Sequence, residues 1–270
     1  MYADVEGLTM YYEDHGPSDG APLVLLHGFT LTGRLSWDDH LAAFGDEYRL
    51  VVPDLRGHGL TGNPDGPSAM NHHQFARDIS ALCDRLGIGH AAFFGYSSGA
   101  AVVLNLALKR PDLVAAAVLA AGFFTIPVAT RGAMGGMDPL DLADSWYGPS
   151  GDAMGPHRAM FVDAHRALGS DHWRVVLGDF IAMFERTDLD DFSEPDSLSQ
   201  ISAPVLVLHG DRDEFFPIEL PVELYRRLPD AELGVLPQSG HELLDSQPEQ
   251  LRLMAIDFLT RRYPVPSKQD

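Results

Sequence analysis

The chain alternates short, almost wholly apolar runs with longer stretches in which apolar residues recur at helical spacing. The short runs are rich in Val, Leu, Ala or Phe and end in turn-forming residues. Strands buried on both faces of a parallel sheet have this pattern, because neither face needs polar side chains. We predict six such strands, at residues 22–27, 50–53, 91–95, 113–119, 205–209 and 232–236.

Capping residues mark the ends of two predicted helices. Asn71, with Gln74 three residues later, opens one helix, and Gly87 ends it. A second helix begins at Ser246, has Pro248 in its first turn and continues toward the C-terminus with apolar residues at helical spacing. The alternation of strands and helices predicts an α/β fold with a mostly parallel, doubly wound sheet.

The alternation is interrupted between residues 125 and 202. This segment has helical patches at 156–167 and 171–185 but no strand-like run, and it contains five of the nine methionines and two of the three tryptophans. We interpret it as a helical cap, residues 125–202, inserted between two strands. The core would then consist of residues 1–124 and 203–270.

The chain carries a formal net charge of −20, from 39 acidic and 19 basic residues. Such a surface repels phosphate backbones and anionic lipids, so we expect neither nucleic acid nor a membrane as a partner. No apolar run reaches the roughly 18 residues of a membrane helix, and the first residues lack a signal-peptide pattern. The cytoplasm is the expected location. Cys83 is the only cysteine, and its place on an apolar helical stripe predicts a core residue.

A candidate nucleophile directly follows the predicted strand at 91–95. Residues 95–99 read Gly-Tyr-Ser-Ser-Gly and fit the pattern G-x-S-x-G, in which a tight strand-to-helix turn exposes the central serine. The apolar residues after this turn continue as a helix that ends before Pro111. Ser97 is therefore the predicted nucleophile, and it needs a base to take its proton.

A carboxylate and a histidine follow two later strands. Asp211 and Asp213 come after the strand at 205–209, and His241 comes after the strand at 232–236. The chain order serine, acid, histidine is the order expected for this turn, and each residue follows the C-terminal end of a strand. We predict His241 as the base, oriented by one of the two aspartates.

The chain resembles the α/β-hydrolase family in further segments, namely His27-Gly28-Phe29 after one strand and Asp54-Leu55-Arg56-Gly57-His58-Gly59 after the next. By this resemblance, the backbone N–H groups of Phe29 and Ser98 form the oxyanion hole, and the hydroxyl of Ser98 has no role. The family pattern G-x-x-D selects Asp213 as the acid. The resemblance covers nearly all of the chain except the cap.

The resemblance implies a serine hydrolase that cleaves a medium-sized ester, thioester or lactone through an acyl-enzyme. The substrate is expected to be a small molecule with an apolar acyl or aromatic part, since aromatic residues and methionines are frequent in the cap. We expect no metal and no cofactor, and we expect His72 and His73 to be exposed. The candidate pocket residues are His27, Tyr96, Phe123, Trp146, Trp173 and Phe184.

Two other functions are compatible with the same residues. The segment from His27 to Thr30 and the segment from Gly95 to Ser97 resemble the menaquinone-pathway synthase, a lyase, so a lyase or a carbon–carbon bond hydrolase is one alternative. That synthase family has an arginine four residues after the serine, where this chain has Ala101. The other alternative is a ligand receptor with slow turnover. The residues carry no signal for an oligomeric state.

Overall fold

An eight-stranded sheet forms the centre of the computed structural model, which describes residues 1–147, 156–185 and 196–265. The strands lie in the order β1-β2-β4-β3-β5-β6-β7-β8; β3 to β8 run parallel to one another, and β1 and β2 are antiparallel to their neighbours. The bounds are β1 (Tyr2–Val5), β2 (Leu8–His15), β3 (Ala21–Leu26), β4 (Tyr48–Pro53), β5 (Ala91–Tyr96), β6 (Val114–Ala120), β7 (Val205–Gly210) and β8 (Ala231–Leu236).

All six predicted strands are present, with ends shifted by no more than two residues, and the α/β fold is confirmed. The sequence prediction missed the hairpin of β1 and β2. Its turn is formed by Glu6 and Gly7, both with positive φ (55° and 91°), a turn geometry that joins antiparallel strands directly. The sequence of β2, LTMYYEDH, places polar residues on one face of the strand. This alternation was a usable signal, although it differs from the wholly apolar runs of the other strands.

Helices cover both faces of the sheet. They are α1 (Gly33–Trp37), α2 (Leu41–Phe44), α3 (His72–Arg85), α4 (Ser98–Lys109), α5 (Val128–Met134), α6 (Pro139–Tyr147), α7 (Pro156–His165), α8 (His172–Glu185), α9 (Glu219–Arg227), α10 (Leu243–Ser246) and α11 (Pro248–Arg262). Alternate residues of β3 enter two separate apolar clusters. One cluster contains residues of α3, α4 and α9, and the other contains residues of α1, α2, α10 and α11.

Of the two predicted helix caps, one is present in the structure and the other is not. The side chain of Asn71 accepts a hydrogen bond from the amide of Gln74 at 2.9 Å, as the capping pattern predicts. The prediction that Ser246 caps the last helix is wrong, because Gln247 is the capping residue of α11. Ser246 ends α10, and its hydroxyl contacts that of Ser239 at 2.6 Å. Cys83 is buried in the core, as predicted.

In the described part of the segment between β6 and β7 there are four helices, α5 to α8, and we call them the insertion helices. The predicted helical patches correspond to α7 and α8, whereas α5 and α6 were not predicted. Their buried residues join the same apolar cluster as α3 and α4. Residues 148–155 and 186–195 of the predicted cap lie outside the described residues. Among the described residues, no helix is long and apolar enough to cross a membrane.

Candidate active site

Ser97 stands alone between β5 and α4 with the backbone angles φ 52° and ψ −115°. A residue with a Cβ atom rarely adopts this conformation, and such strain is concentrated at functional sites. Two glycines make the turn possible: a Cβ atom at Gly95 would collide with the backbone of Gly99, and one at Gly99 would collide with the carbonyl of Leu26. The turn therefore requires small residues on both sides of the serine.

His241 lies between Ser97 and Asp213. Its Nε2 atom is 2.9 Å from the hydroxyl oxygen of Ser97, and its Nδ1 atom is 2.8 Å from Oδ2 of Asp213. The three residues follow β5, β7 and β8, whose parallel alignment brings the loops after their C-terminal ends to one edge of the sheet. The imidazole is thus placed to accept the serine proton while the carboxylate fixes its tautomer.

The carboxylate of Asp213 is fully buried and surrounded by donors. The backbone amides of Phe215 and Phe216 each donate to Oδ1 at 2.9 Å. Burial raises the pKa of Asp213, but the hydrogen bond and charge of His241, with the Phe216 amide, outweigh it and lower the pKa below its usual value. The described hydrogen bonds and ion pairs of the imidazole do not include Asp211, whose side chain accepts from the Ser239 amide at 3.2 Å.

A second histidine, His209, lies against the same carboxylate, and the sequence prediction missed it. Its Nε2 atom is 2.8 Å from the carbonyl oxygen of Phe216 and 3.3 Å from Oδ2 of Asp213. Since the carbonyl can only accept, Nε2 carries the proton. His209 is the last but one residue of β7 and is fully buried. His209 lies in an otherwise apolar run, four residues before Asp213. A histidine at this position was the sequence signal that could have identified it.

Phe29 and Ser98 are the predicted oxyanion donors; Phe29 lies in the loop after β3, and Ser98, next to Ser97, is the first residue of α4. Among the described hydrogen bonds, neither backbone N–H group has an acceptor. The Gly28–Phe29 peptide is fixed through its carbonyl, which accepts from Nδ1 of His27 at 2.7 Å. Nε2 of His27 in turn accepts from the Leu55 amide at 2.9 Å. Burial lowers the pKa of His27 to about 3, so the ring is neutral.

Aromatic rings extend from the candidate catalytic histidine to the insertion helices. The ring of Phe215 lies 5.0 Å from that of His241 and 5.6 Å from that of Trp146, measured between centroids. Phe180 contacts both Trp146 and Phe29, at 5.2 and 5.4 Å. These rings form an apolar wall that begins at the ring of His241, and in it Phe215 and Phe180 join the predicted residue Trp146.

The other predicted pocket residues take different places. Phe123 stacks on Phe216 at 4.4 Å, and the hydroxyl of Tyr96 donates to the His241 carbonyl at 3.3 Å. The ring of Phe184 contacts that of Phe180 at a centroid distance of 4.8 Å. Trp173 contacts Phe161, with arginine side chains on its ring faces. His27 has both ring nitrogens bonded to backbone groups.

Buried histidines connect the loops around the site. The prediction that His72 is exposed is wrong: its side chain is 2% exposed, because the first turn of α3 packs on α4, whereas His73 is exposed as predicted. His165 of α7 accepts from the Gly59 amide at 3.1 Å and donates to the Thr30 carbonyl at 3.2 Å. Among the described residues, no group of three or more His, Cys, Asp or Glu is arranged to hold a metal ion.

Comparisons with known proteins match most of the chain. The model of the alpha/beta hydrolase family matches residues 23–252. A non-heme chloroperoxidase of Streptomyces lividans is 29% identical, over 94% of this chain and 97% of its own. A bifunctional esterase/perhydrolase of Acinetobacter calcoaceticus is 29% identical, over 80% of this chain and 82% of its own. The crystal structure of the enol-lactonase from Burkholderia xenovorans superposes with a TM-score of 0.76 at 23% identity, over 96% of this chain and 100% of the other.

Proposed function

The chain belongs to the alpha/beta hydrolase family and is an enzyme, and from this premise we propose that it is a serine hydrolase that cleaves a medium-sized ester, thioester or lactone. Ser97 is the nucleophile, His241 the general base and Asp213 the acid that orients it. The observation that carries the proposal is the continuous contact from Ser97 through His241 to Asp213, with distances of 2.9 and 2.8 Å.

The reaction proceeds in two steps through an acyl-enzyme. Nε2 of His241 takes the proton of the Ser97 hydroxyl as its oxygen attacks the substrate carbonyl, and the same proton then passes to the leaving alcohol, thiol or ring oxygen. The amides of Phe29 and Ser98 stabilise the negative oxygen of the tetrahedral intermediate. In the second step, His241 takes a proton from a water molecule as its oxygen attacks the acyl carbon, and the same proton passes to the oxygen of Ser97 as the acid is released.

The surroundings of Ser97 favour an apolar acyl or aromatic group in the substrate. Phe215 and Phe180 lie beside the site, and Trp146 of α6 closes the same wall from the insertion helices. We infer that the insertion helices act as a cap over the site and that their aromatic side chains select the substrate by size.

A second acceptor for the same acyl group is suggested by one relative, which is named a bifunctional esterase/perhydrolase. Hydrogen peroxide would replace water in the second step and give a peroxy acid, with the proton again taken by His241. Formation of the peroxy acid from an ester and hydrogen peroxide tests this candidate, with the Ser97→Ala variant as the control. Absence of peroxy acid in reactions where the ester is hydrolysed would exclude it.

The proposed function is tested by hydrolysis of p-nitrophenyl esters with acyl chains from two to twelve carbons. We expect turnover by the wild type and a loss on the order of 10⁴- to 10⁶-fold in Ser97→Ala. A fluorophosphonate should label the wild type once and leave Ser97→Ala unlabelled. Turnover retained by Ser97→Ala would refute the assignment. A folded wild type that cleaves a β-diketone but no ester would favour the carbon–carbon hydrolase.

A further inference from the structure

The hydroxyl of Ser98, next to the proposed nucleophile, is bonded to a histidine outside the catalytic group. Nε2 of His72 lies 2.7 Å from Oγ of Ser98, and each side chain is at most 2% exposed. His72 is the first residue of α3 and Ser98 the first residue of α4. One buried hydrogen bond therefore connects the first turns of two neighbouring helices at the edge of the site.

The peptide between Ser97 and Ser98 contains the amide that the proposed mechanism aims at the oxyanion. The carbonyl of this peptide accepts from the amides of Ala100 and Ala101, at 3.0 and 3.3 Å. On the other side, the bond to His72 fixes the side chain of Ser98. Because Ser97 has a positive φ of 52°, its own conformational preference does not favour this peptide orientation. Contacts on both sides of the peptide are therefore needed to maintain its orientation.

His72 is itself held in place. It follows Asn71, whose side chain caps α3, and its ring contacts that of Phe123 at a centroid distance of 5.6 Å. Burial lowers the pKa of His72 to about 4, so the ring is neutral near pH 7. A neutral imidazole and a hydroxyl form one hydrogen bond whichever of the two donates. The bond does not depend on a charge, so it persists near pH 7, where the ring is neutral.

We propose that His72 and Ser98 are a pair of positioning residues that keep the Ser98 amide directed at the oxyanion. The inference rests on the proposed function. Neither side chain takes part in a covalent step; their bond keeps the donor in place before the negative charge develops, which is how such donors lower a barrier. The hydroxyl of Ser98, for which the sequence indicated no role, thus helps to hold the backbone amide of the same residue in place.

The test compares Ser98→Ala, His72→Phe, their combination and His72→Gln, with His73→Phe as the matched control at the exposed neighbouring position. For a p-nitrophenyl ester, we expect kcat to fall about 10-fold in Ser98→Ala and His72→Phe with KM nearly unchanged, less than the 10²- to 10³-fold loss of a deleted donor. The double variant should be no worse than either single variant. His72→Gln, which can still bond the hydroxyl, should recover most of the activity.

A second readout separates positioning from a general structural effect. An alkylboronic acid forms a tetrahedral, negatively charged adduct with the nucleophilic serine, and its affinity should fall by the same factor as kcat. Unchanged kcat and boronate affinity in Ser98→Ala and His72→Phe would overturn the inference, as would equal losses in His72→Gln together with a lower thermal unfolding temperature. If the proposed function itself is wrong, the result is different from both of these outcomes, because Ser97→Ala would then be as active as the wild type.

Discussion

Nδ1 of His241 lies 2.8 Å from Oδ2 of Asp213, and this carboxylate is closed to solvent. If the contact fixes the tautomer of the base, Asp213→Asn should reduce kcat/KM for an ester by about 10⁴-fold. The side-chain amide of the asparagine allows the imidazole to carry its proton on Nε2, the nitrogen that must accept the serine proton. The variant should stay folded, since the amide oxygen can still accept from the amides of Phe215 and Phe216. Steady-state kinetics and circular dichroism measure the two effects.

Asp211→Asn is the matched control two residues earlier. The Asp211 side chain accepts from the Ser239 amide at 3.2 Å, whereas the described carboxylate partner of the imidazole is Asp213. An asparagine can accept the same bond, so the activity should stay within about 5-fold of the wild type. The opposite pattern, with Asp211→Asn inactive and Asp213→Asn active, would show that the carboxylates have been assigned in the wrong order.

His209 gives a second prediction at the same carboxylate. His209→Leu removes the donor to the Phe216 carbonyl, and an unpaired buried carbonyl costs about 1–3 kcal/mol of unfolding free energy. Asp213 also loses a neighbour that lowers its pKa. We expect kcat to fall about 10-fold and the acid limb of the pH–rate profile to move to higher pH. Chemical denaturation and a pH profile test these effects; an unchanged acid limb would show that His209 has only a structural role.

The sequence predicted the parts of the site that follow from local patterns. The parallel strands are visible as apolar runs, and the residues Ser97, Asp213 and His241 each follow such a run, so their meeting at one sheet edge could be anticipated. The contact between His72 and Ser98 could not, because it depends on how the first turns of α3 and α4 pack together. His209 left a signal in the sequence, a histidine inside an apolar run, but its contacts with Phe216 and Asp213 depend on how the loop after β7 folds back on the strand.

The glycine after the two serines leads to a prediction about stability. A Cβ atom at Gly99 would meet the carbonyls of Leu26 and His27 at the end of β3. Because these are backbone atoms of a central strand, they cannot move aside, and Gly99→Ala should destabilise the fold by more than about 3 kcal/mol or prevent folding. Denaturant unfolding of the purified variant measures the change.

Gly132→Ala is the control for that substitution. Gly132 is an exposed residue of α5, and a Cβ atom there meets nothing within 4 Å. Alanine should therefore stabilise the protein by about 0.5–1 kcal/mol through its higher helix propensity. Similar effects of the two substitutions would mean that the approach of α4 to β3 is less close than the structure shows.

The buried histidines make the stability depend on pH. Burial lowers the pKa of His27, His58 and His165 to about 3 and that of His72 to about 4, against 6.5 for an accessible ring. Between these values, the unfolded chain binds protons that the folded chain does not, so stability is complete above pH 6.5 and is lost as the pH falls below it. Each histidine contributes up to about 1.4 kcal/mol per pH unit. Urea unfolding at pH 7.5, 6.5, 5.5 and 5.0 should show a steep decrease.

His165→Gln separates this effect from other acid-sensitive groups. Glutamine can still bond the Thr30 carbonyl or the Gly59 amide but does not titrate, so the decrease in unfolding free energy between pH 6 and 5 should become smaller by about 1.4 kcal/mol per pH unit. At pH 7.5 the variant should be less stable by about 1–2 kcal/mol, because one of the two hydrogen bonds of His165 is lost. His157→Gln, at an exposed position of α7, is the control for the substitution itself, and its unfolding free energy at pH 7.5 should stay within about 0.5 kcal/mol of the wild type. An unchanged slope in His165→Gln would mean that His165 binds its proton equally well in the folded and unfolded chains.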